Sequence, residues 1–255
     1  MINVHVENFD NYNDFLRILQ TRKRANWYDI DHTKRAFTGN EGLQDSMELL
    51  KSGDADAAAR LLPQNVAKVK SIADKRGRGV QGYAPIVPLA INSVPRCMRT
   101  QERARVPYKV LNLLVDVTYS CGIKQSEVDE RGRKLCEFIK GAERAGYRIG
   151  LSIGAVFSRD GYENAYCARI KVKDASKPLD IKRVAYPLTH ASMFRQLLFD
   201  WYEKYPDAEH LSGYGYALYF CKPDHRADVL SKLCKRGERY LALMRDTPTH
   251  ALFEG

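Results

Sequence analysis

Val110-Leu-Asn-Leu-Leu-Val-Asp116-Val-Thr118-Tyr-Ser120 is an apolar run that ends in a carboxylate and two hydroxyls. From Val110 to Val117 only Asn112 and Asp116 interrupt it, and such a density of branched side chains reads as a strand buried on both faces. Asp116, Thr118 and Ser120 stand at alternate positions where that strand ends. Polar groups there are costly in a core unless something satisfies them. Together they make an all-oxygen, hard-ligand set that suits Mg²⁺ or Ca²⁺. The plainer alternative is that Asp116 caps the loop and the hydroxyls bond backbone.

The flanking residues extend this strand into an open, mostly parallel, Rossmann-like α/β sheet. Ser126 is a good N-cap with Asp129 three residues on. Val128, Leu135, Ile139 and Ala142 then mark one helix face, and Gly146 follows as the expected C′ residue. Residues 147–157 carry Ile149, Leu151, Ile153, Ala155 and Phe157 in alternation and predict a second strand. Strand, helix, strand is a right-handed crossover joining parallel strands. In such sheets ligands sit at the carboxyl ends of the strands, where Asp116 to Ser120 would fall. Residues 158–162, with Asp-Gly at their centre, predict a turn into an antiparallel edge strand over 165–172. Residues 179–188 read as extended up to Pro187. A helix follows with Phe194, Leu197, Leu198, Trp201 and Tyr202, then an aromatic strand over 214–220. Asp224 caps a basic helix in this reading, and residues 240–244 form a last short strand.

The Asp116-x-Thr118-x-Ser120 loop and this element order resemble a von Willebrand factor A-like domain with its metal-ion-dependent adhesion site. The resemblance covers residues 106–255. It implies one divalent cation, Mg²⁺ or another, held by Asp116, Thr118 and Ser120, by a Thr from a second loop, and by an Asp from a third. Thr189, after Pro187-Leu188, and Asp224, after the strand expected over 214–220, are the candidates for those two places. The resemblance further implies a protein partner whose exposed Asp or Glu completes the cation's coordination. The wording Val172-Lys-Asp and Ala185-Tyr-Pro-Leu is also similar to uncharacterised phage-encoded proteins.

Residues 1–105 read differently, as a small helical, loop-rich and basic region that packs on the 106–255 domain. Phe9, Tyr12, Phe15, Leu16 and Leu19 fall at helical spacing, and short helices are predicted over 45–51, 54–62 and 66–73, with a turn at 37–40. Between Lys68 and Lys109 lie ten Lys or Arg residues against Asp74 and Glu102, a local +8 that approaches the whole chain's +10. Such concentration is a polyanion footprint, and nucleic acid, DNA or RNA, is the expected partner. Arg76, Arg78, Arg96, Arg99, Arg103, Arg105 and Lys109 are the candidate phosphate contacts, with Tyr83 and Tyr108 placed to stack on bases. The alternative is a solvated loop that aids solubility. Gly77-Arg-Gly79-Val-Gln-Gly82 satisfies G-x-G-x-x-G, but the Lys-rich segment before it and Tyr83-Ala-Pro85 after it are wrong for a dinucleotide site.

At 255 residues the chain suits one large or two modest domains. No segment has the apolar length of a membrane span, and the N-terminus has no signal-peptide pattern. Six scattered cysteines without a C-x-x-C pair indicate neither a zinc site nor a disulfide framework, which predicts reduced thiols in the cytoplasm of a bacterial host or phage-infected cell. No nucleophile elbow, H-E-x-x-H or P-loop is present, and Cys121 has no flanking His. The expectation is therefore a non-enzymatic binding or assembly protein with no assigned catalytic residue. The alternatives are a metal-dependent enzyme acting on nucleic acid and a structural virion or complex component.

Overall fold

In a computed structural model, residues 2–23, 25, 42–62, 74–103, 109–120, 122–161, 163–206 and 217–253 are described. Strand β5 (Val110–Asp116) sits inside a five-stranded sheet, parallel to β6 (Arg148–Phe157) on one side and to β8 (Glu238–Ala242) on the other. The crossover from β5 to β6 is helix α5 (Gln125–Arg144). It starts just before the expected Ser126, and Glu127, not Asp129, accepts the Lys124 backbone N–H at 3.3 Å. Gly146, at φ +94°, ends it in the left-handed region that a residue with a Cβ avoids.

Strand β7 (Asn164–Lys173) runs antiparallel to β6, as the turn at residues 158–162 predicts. The strand β1 (Asn3–Phe9), which pairs parallel with β7 at the sheet edge, was not expected. Val4 and Val6 alternating with His5 and Glu7 are its signal, a period of two short enough to be overlooked beside the helical spacing that begins at Phe9. The strand order is β1-β7-β6-β5-β8. Because β1 belongs to this sheet, strand pairing crosses the boundary expected at 105/106.

The two faces of the sheet are covered unequally. On one, Leu113, Val115, Ile149, Ile153, Ala168 and Ile170 join a large core. Helices α1 (Tyr12–Thr21), α2 (Leu43–Ser52), α3 (Ala55–Arg60), α5 and α6 (Ile181–Thr189) bury their apolar faces there, as does the π-turn Met193–Leu198 that continues into α7 (Phe199–Tyr202). The four positions Val128, Leu135, Ile139 and Ala142 are all buried in it. A smaller cluster on the other face holds Leu114, Val156, Cys167, Leu218 and Cys221 under helix α8 (Pro223–Leu233).

Three local expectations are corrected. Residues 181–189 are helical, not extended, with Pro187 inside the helix. A proline there deprives the carbonyl four residues back of its donor, and the Tyr12 hydroxyl supplies one to Arg183 O at 2.7 Å. Leu218–Phe220, the described end of the strand expected over 214–220, is a 3₁₀ turn. Asp224 is not the cap of α8 but lies in its first turn, exposed, with Lys222 at the N-cap. The turn expected at 37–40 and the helix at 66–73 lie outside the described residues.

A separate three-stranded antiparallel sheet, order β2-β4-β3, is made of β2 (Asp74–Gly79), β3 (Ala84–Pro85) and β4 (Met98–Arg103), with the short helix α4 (Val87–Ile91) between the last two. The described part of the basic segment is thus a β-structured arm. None of the described helices is long and apolar enough to cross a membrane.

Candidate functional site

Asp116 is the last residue of β5 and is 1% exposed. Its Oδ1 accepts the Thr118 backbone N–H at 2.9 Å, and its Oδ2 accepts a hydrogen bond from the Tyr240 hydroxyl of β8. Burial pushes the carboxyl up to about 6, against the hydrogen bonds from Tyr240 and Thr118, and the nearby Asp246 pushes the same way. A carboxylate offers about four lone-pair positions, so these two donors leave room for a cation. The Thr118 hydroxyl lies toward Asp116 yet is fully buried without a hydrogen bond of normal geometry, and the Tyr119 hydroxyl is likewise buried without a partner. Orphaned buried hydroxyls of this kind are rare and call for an explanation.

The remaining predicted ligands separate. Ser120 is half-buried, and its carbonyl oxygen accepts from Arg195 Nη2 at 3.1 Å. The Arg195 guanidinium lies 5.1 Å from the centre of the Tyr119 ring, so a cationic side chain already braces this loop. Thr189 is tied to the start of α5, where Gln125 donates to its carbonyl oxygen at 2.6 Å. Its hydroxyl, however, donates to Ala185 O at 2.8 Å within α6. His190 pairs with Asp54 at 2.7 Å.

Asp224 lies exposed in the first turn of α8. Two parallel neighbours of β5 run alongside Asp116, which pairs with Gly154 of β6 and Ala242 of β8. The first acid after β8 is Asp246. The Leu243 N–H bonds Asp116 O at 2.9 Å, tying the two strand exits together, and Asp246 Oδ2 accepts the Ala242 N–H at 2.8 Å. The strand begins at Glu238, two residues before the expected 240–244, and this earlier register brings its carboxyl end, with Tyr240 and Asp246, to Asp116.

In the arm, β2 and β4 pair so that Arg78 faces Arg99, Arg76 faces Gln101 and Asp74 faces Arg103 in backbone register. Arg78 and Arg99 are exposed, and like charges directly opposite each other destabilise a strand pair. The glycines of the G-x-G-x-x-G stretch allow close approach: a Cβ on Gly79 would strike the Thr100 side chain, and one on Gly82 the Arg99 carbonyl. Beyond them Val80 and Ile91 are each 76% exposed and Tyr83 is 65% exposed. Arg96 stands exposed at φ +63°, and Lys109 is exposed beside the start of β5. Arg76 and Arg103 are placed by their backbone alone, and Arg105, Tyr108 and Cys121 lie outside the described residues.

The chain belongs to a family described as a domain of unknown function (DUF7192), whose model matches residues 1–238. No curated protein and no solved structure matches it.

Proposed function

We propose that this member of the DUF7192 family is a binding or assembly protein built on a von Willebrand factor A-like domain. In this reading a divalent cation at the carboxyl ends of β5 and β8 engages a partner's Asp or Glu, while the β2–β4 arm contacts nucleic acid. The observation that carries it is the orphaned Thr118 hydroxyl beside buried Asp116, with Asp246 close enough to raise that carboxyl further. Two neighbouring carboxylates resist ionising together, and a cation between them removes the conflict. Asp116 and Asp246 are then the charged ligands and Thr118 and Ser120 the neutral ones. Thr189 is the weaker member, since its hydroxyl is already used within α6. The order of elements from β5 to β8 supports the resemblance, with the third-loop acid moved from Asp224 to Asp246.

Mg²⁺ and Mn²⁺ calorimetry tests the metal. Asp116→Ala and Asp246→Ala should each abolish binding, Thr118→Ala should weaken it, and Asp224→Ala should leave it alone. Unchanged affinity in Asp116→Ala defeats the proposal. A partner complex held through the cation should dissociate in EDTA while the chain stays folded. The pair Asp116 and Asp246 also favours a second reading, a metal-dependent enzyme on nucleic acid, because a second carboxylate is what metal-assisted phosphodiester chemistry needs. Incubating the protein with Mg²⁺ and a short oligonucleotide separates the two: cleavage lost in Asp246→Ala selects the enzyme.

A further inference from the structure

On the turn after β6 and the entry to α8, three side chains of different chemistry converge. Asp160, Cys221 and His225 each present a ligand atom within 4.8 Å of the other two. Cys221 and His225 are four residues apart across the start of α8, and Asp160 comes from a turn sixty-one residues away from Cys221 in the chain. We propose that Asp160, Cys221 and His225 form a binding site for a zinc-class transition-metal ion, separate from the oxygen cluster at Asp116.

Each ligand is already held by its surroundings. The Lys222 backbone N–H donates to both Asp160 carboxylate oxygens, at 3.0 and 3.1 Å. His225 Nε2 lies 2.7 Å from Ser158 Oγ, while Nδ1 faces Asp160 Oδ1 at 3.9 Å. A metal-ligating histidine typically spends its other nitrogen on an outer hydrogen bond, and Ser158 supplies that bond here. The Cys221 thiol is 3.8 Å from the Ser158 carbonyl oxygen, so one turn residue braces two of the three ligands.

The separation of Asp160 and His225 also argues for an ion. At 3.9 Å the carboxylate and the ring are too far apart for a hydrogen bond. Zn–N and Zn–O bonds in tetrahedral geometry set the two ligand atoms about 3.3 Å apart. Closing that gap takes roughly half an ångström, well within reach of the Asp160 side chain, which is 30% exposed. Sulfur, imidazole and carboxylate together suit Zn²⁺ or Co²⁺ and are a poor set for Mg²⁺. On binding, the Cys221 S–H proton leaves to solvent and the thiolate and Asp160 balance the ion's two charges. Three protein ligands leave the fourth position to water from the exposed side of Asp160.

The same residues also read as a serine–histidine–carboxylate chain. Ser158 is only 1% exposed, and the 3.9 Å histidine–carboxylate spacing is longer than such a relay uses. The cation reading needs no access to Ser158.

Cobalt titration of the full chain decides it. Equimolar Co²⁺ should give a near-ultraviolet thiolate-to-cobalt charge-transfer band that Zn²⁺ bleaches and Mg²⁺ does not. Cys221→Ser should remove the band. Ser158→Ala should weaken zinc affinity by about 10- to 100-fold through the loosened His225 ring, and His225→Ala and Asp160→Asn by at least as much. Asp116→Ala should leave the band intact, which keeps this site distinguishable from the one at β5 and β8. Asp160→Asn, on an exposed turn, tests the site even if the buried substitutions unfold the chain. No thiolate band with stoichiometric Co²⁺, a band that survives Cys221→Ser, or fluorophosphonate labelling of Ser158 that Zn²⁺ does not alter overturns the proposal.

Discussion

The main sheet and the β2–β4 arm are both β-structure in one chain, and they treat arginine in opposite ways. In the main sheet Arg169 of β7 reaches past β6 and β5 to an ion pair with Glu238 of β8, both side chains 6% exposed or less. In the arm Arg78 stands across from Arg99 in open solvent, and apolar Val80 and Ile91 are exposed beside them. The first arrangement satisfies a buried charge within the fold. The second sets like charges against each other across its own strand pair. On the function proposed above, the difference separates residues that maintain the fold from residues kept for a ligand.

The largest effect should come from breaking the buried pair. Glu238→Ala leaves Arg169 charged and uncompensated in a desolvated place, and such a loss costs about 3–5 kcal/mol. Replacing both partners, Arg169→Met with Glu238→Leu, should return most of that stability, because the desolvation of two charges vanishes with their attraction. Urea unfolding of the single and double variants measures it. A single variant as stable as the parent would mean that solvent reaches Arg169 and that the contrast with the arm is false.

The same contrast explains what could be read in advance. The β5–α5–β6 crossover and the β6–β7 hairpin were legible because their apolar positions repeat at the period of the element that buries them. The helix 181–189 was not, because Pro187 signals a break and only the tertiary bond from Tyr12 to Arg183 O removes that penalty. At the candidate cation site, Asp116 was legible as a polar interruption of an apolar strand. Asp246 was not, since its relevance comes from the parallel pairing of β8 with β5, a contact more than a hundred residues apart in sequence. The grouping of Asp160, Cys221 and His225 was hidden in the same way, and the scatter of cysteines argued against it.

A second, smaller effect belongs to the sheet edge. Glu7 of β1 accepts from Arg22 at 2.9 and 3.1 Å, Trp201 Nε1 at 2.8 Å and the Tyr205 hydroxyl at 2.6 Å. Burial pushes its carboxyl up, but the bonds from Tyr205, Arg22 and Trp201 together outweigh this and hold it below the ordinary range. A lowered folded-state value means the stabilisation is complete above the unfolded carboxyl's value, near 4.3, and fades as pH falls through the folded one. Glu7→Gln should therefore cost about 1.5–3 kcal/mol at neutral pH, the range for hydrogen bonds to a charged group. The gap between variant and parent should narrow below about pH 4. Thermal unfolding over a pH series checks it, and a gap that widens on acidification would refute the assigned ionisation.

The smallest expected effect on stability is the most informative about the arm, because its sign is opposite. Arg78→Ala removes one of two like charges that face each other across β2 and β4. Relieving that repulsion should leave stability unchanged or raise it by roughly 0.2–1 kcal/mol, where Glu238→Ala lowers it severalfold more. Nucleic-acid affinity should move the other way. If Arg78 and Arg99 each neutralise a phosphate, replacing both with Ala should flatten the slope of log affinity against log salt by about 1.4–1.8. Binding should weaken with little regard to base sequence, since phosphate contacts carry none. Gel shifts over a salt series with single- and double-stranded DNA and RNA read the slope, and urea unfolding of the same variants reads the stability. A double variant that loses stability and keeps its salt slope would show that Arg78 and Arg99 brace the arm itself, and the division between fold-maintaining and ligand-awaiting arginines would fail at the place where it is drawn most sharply.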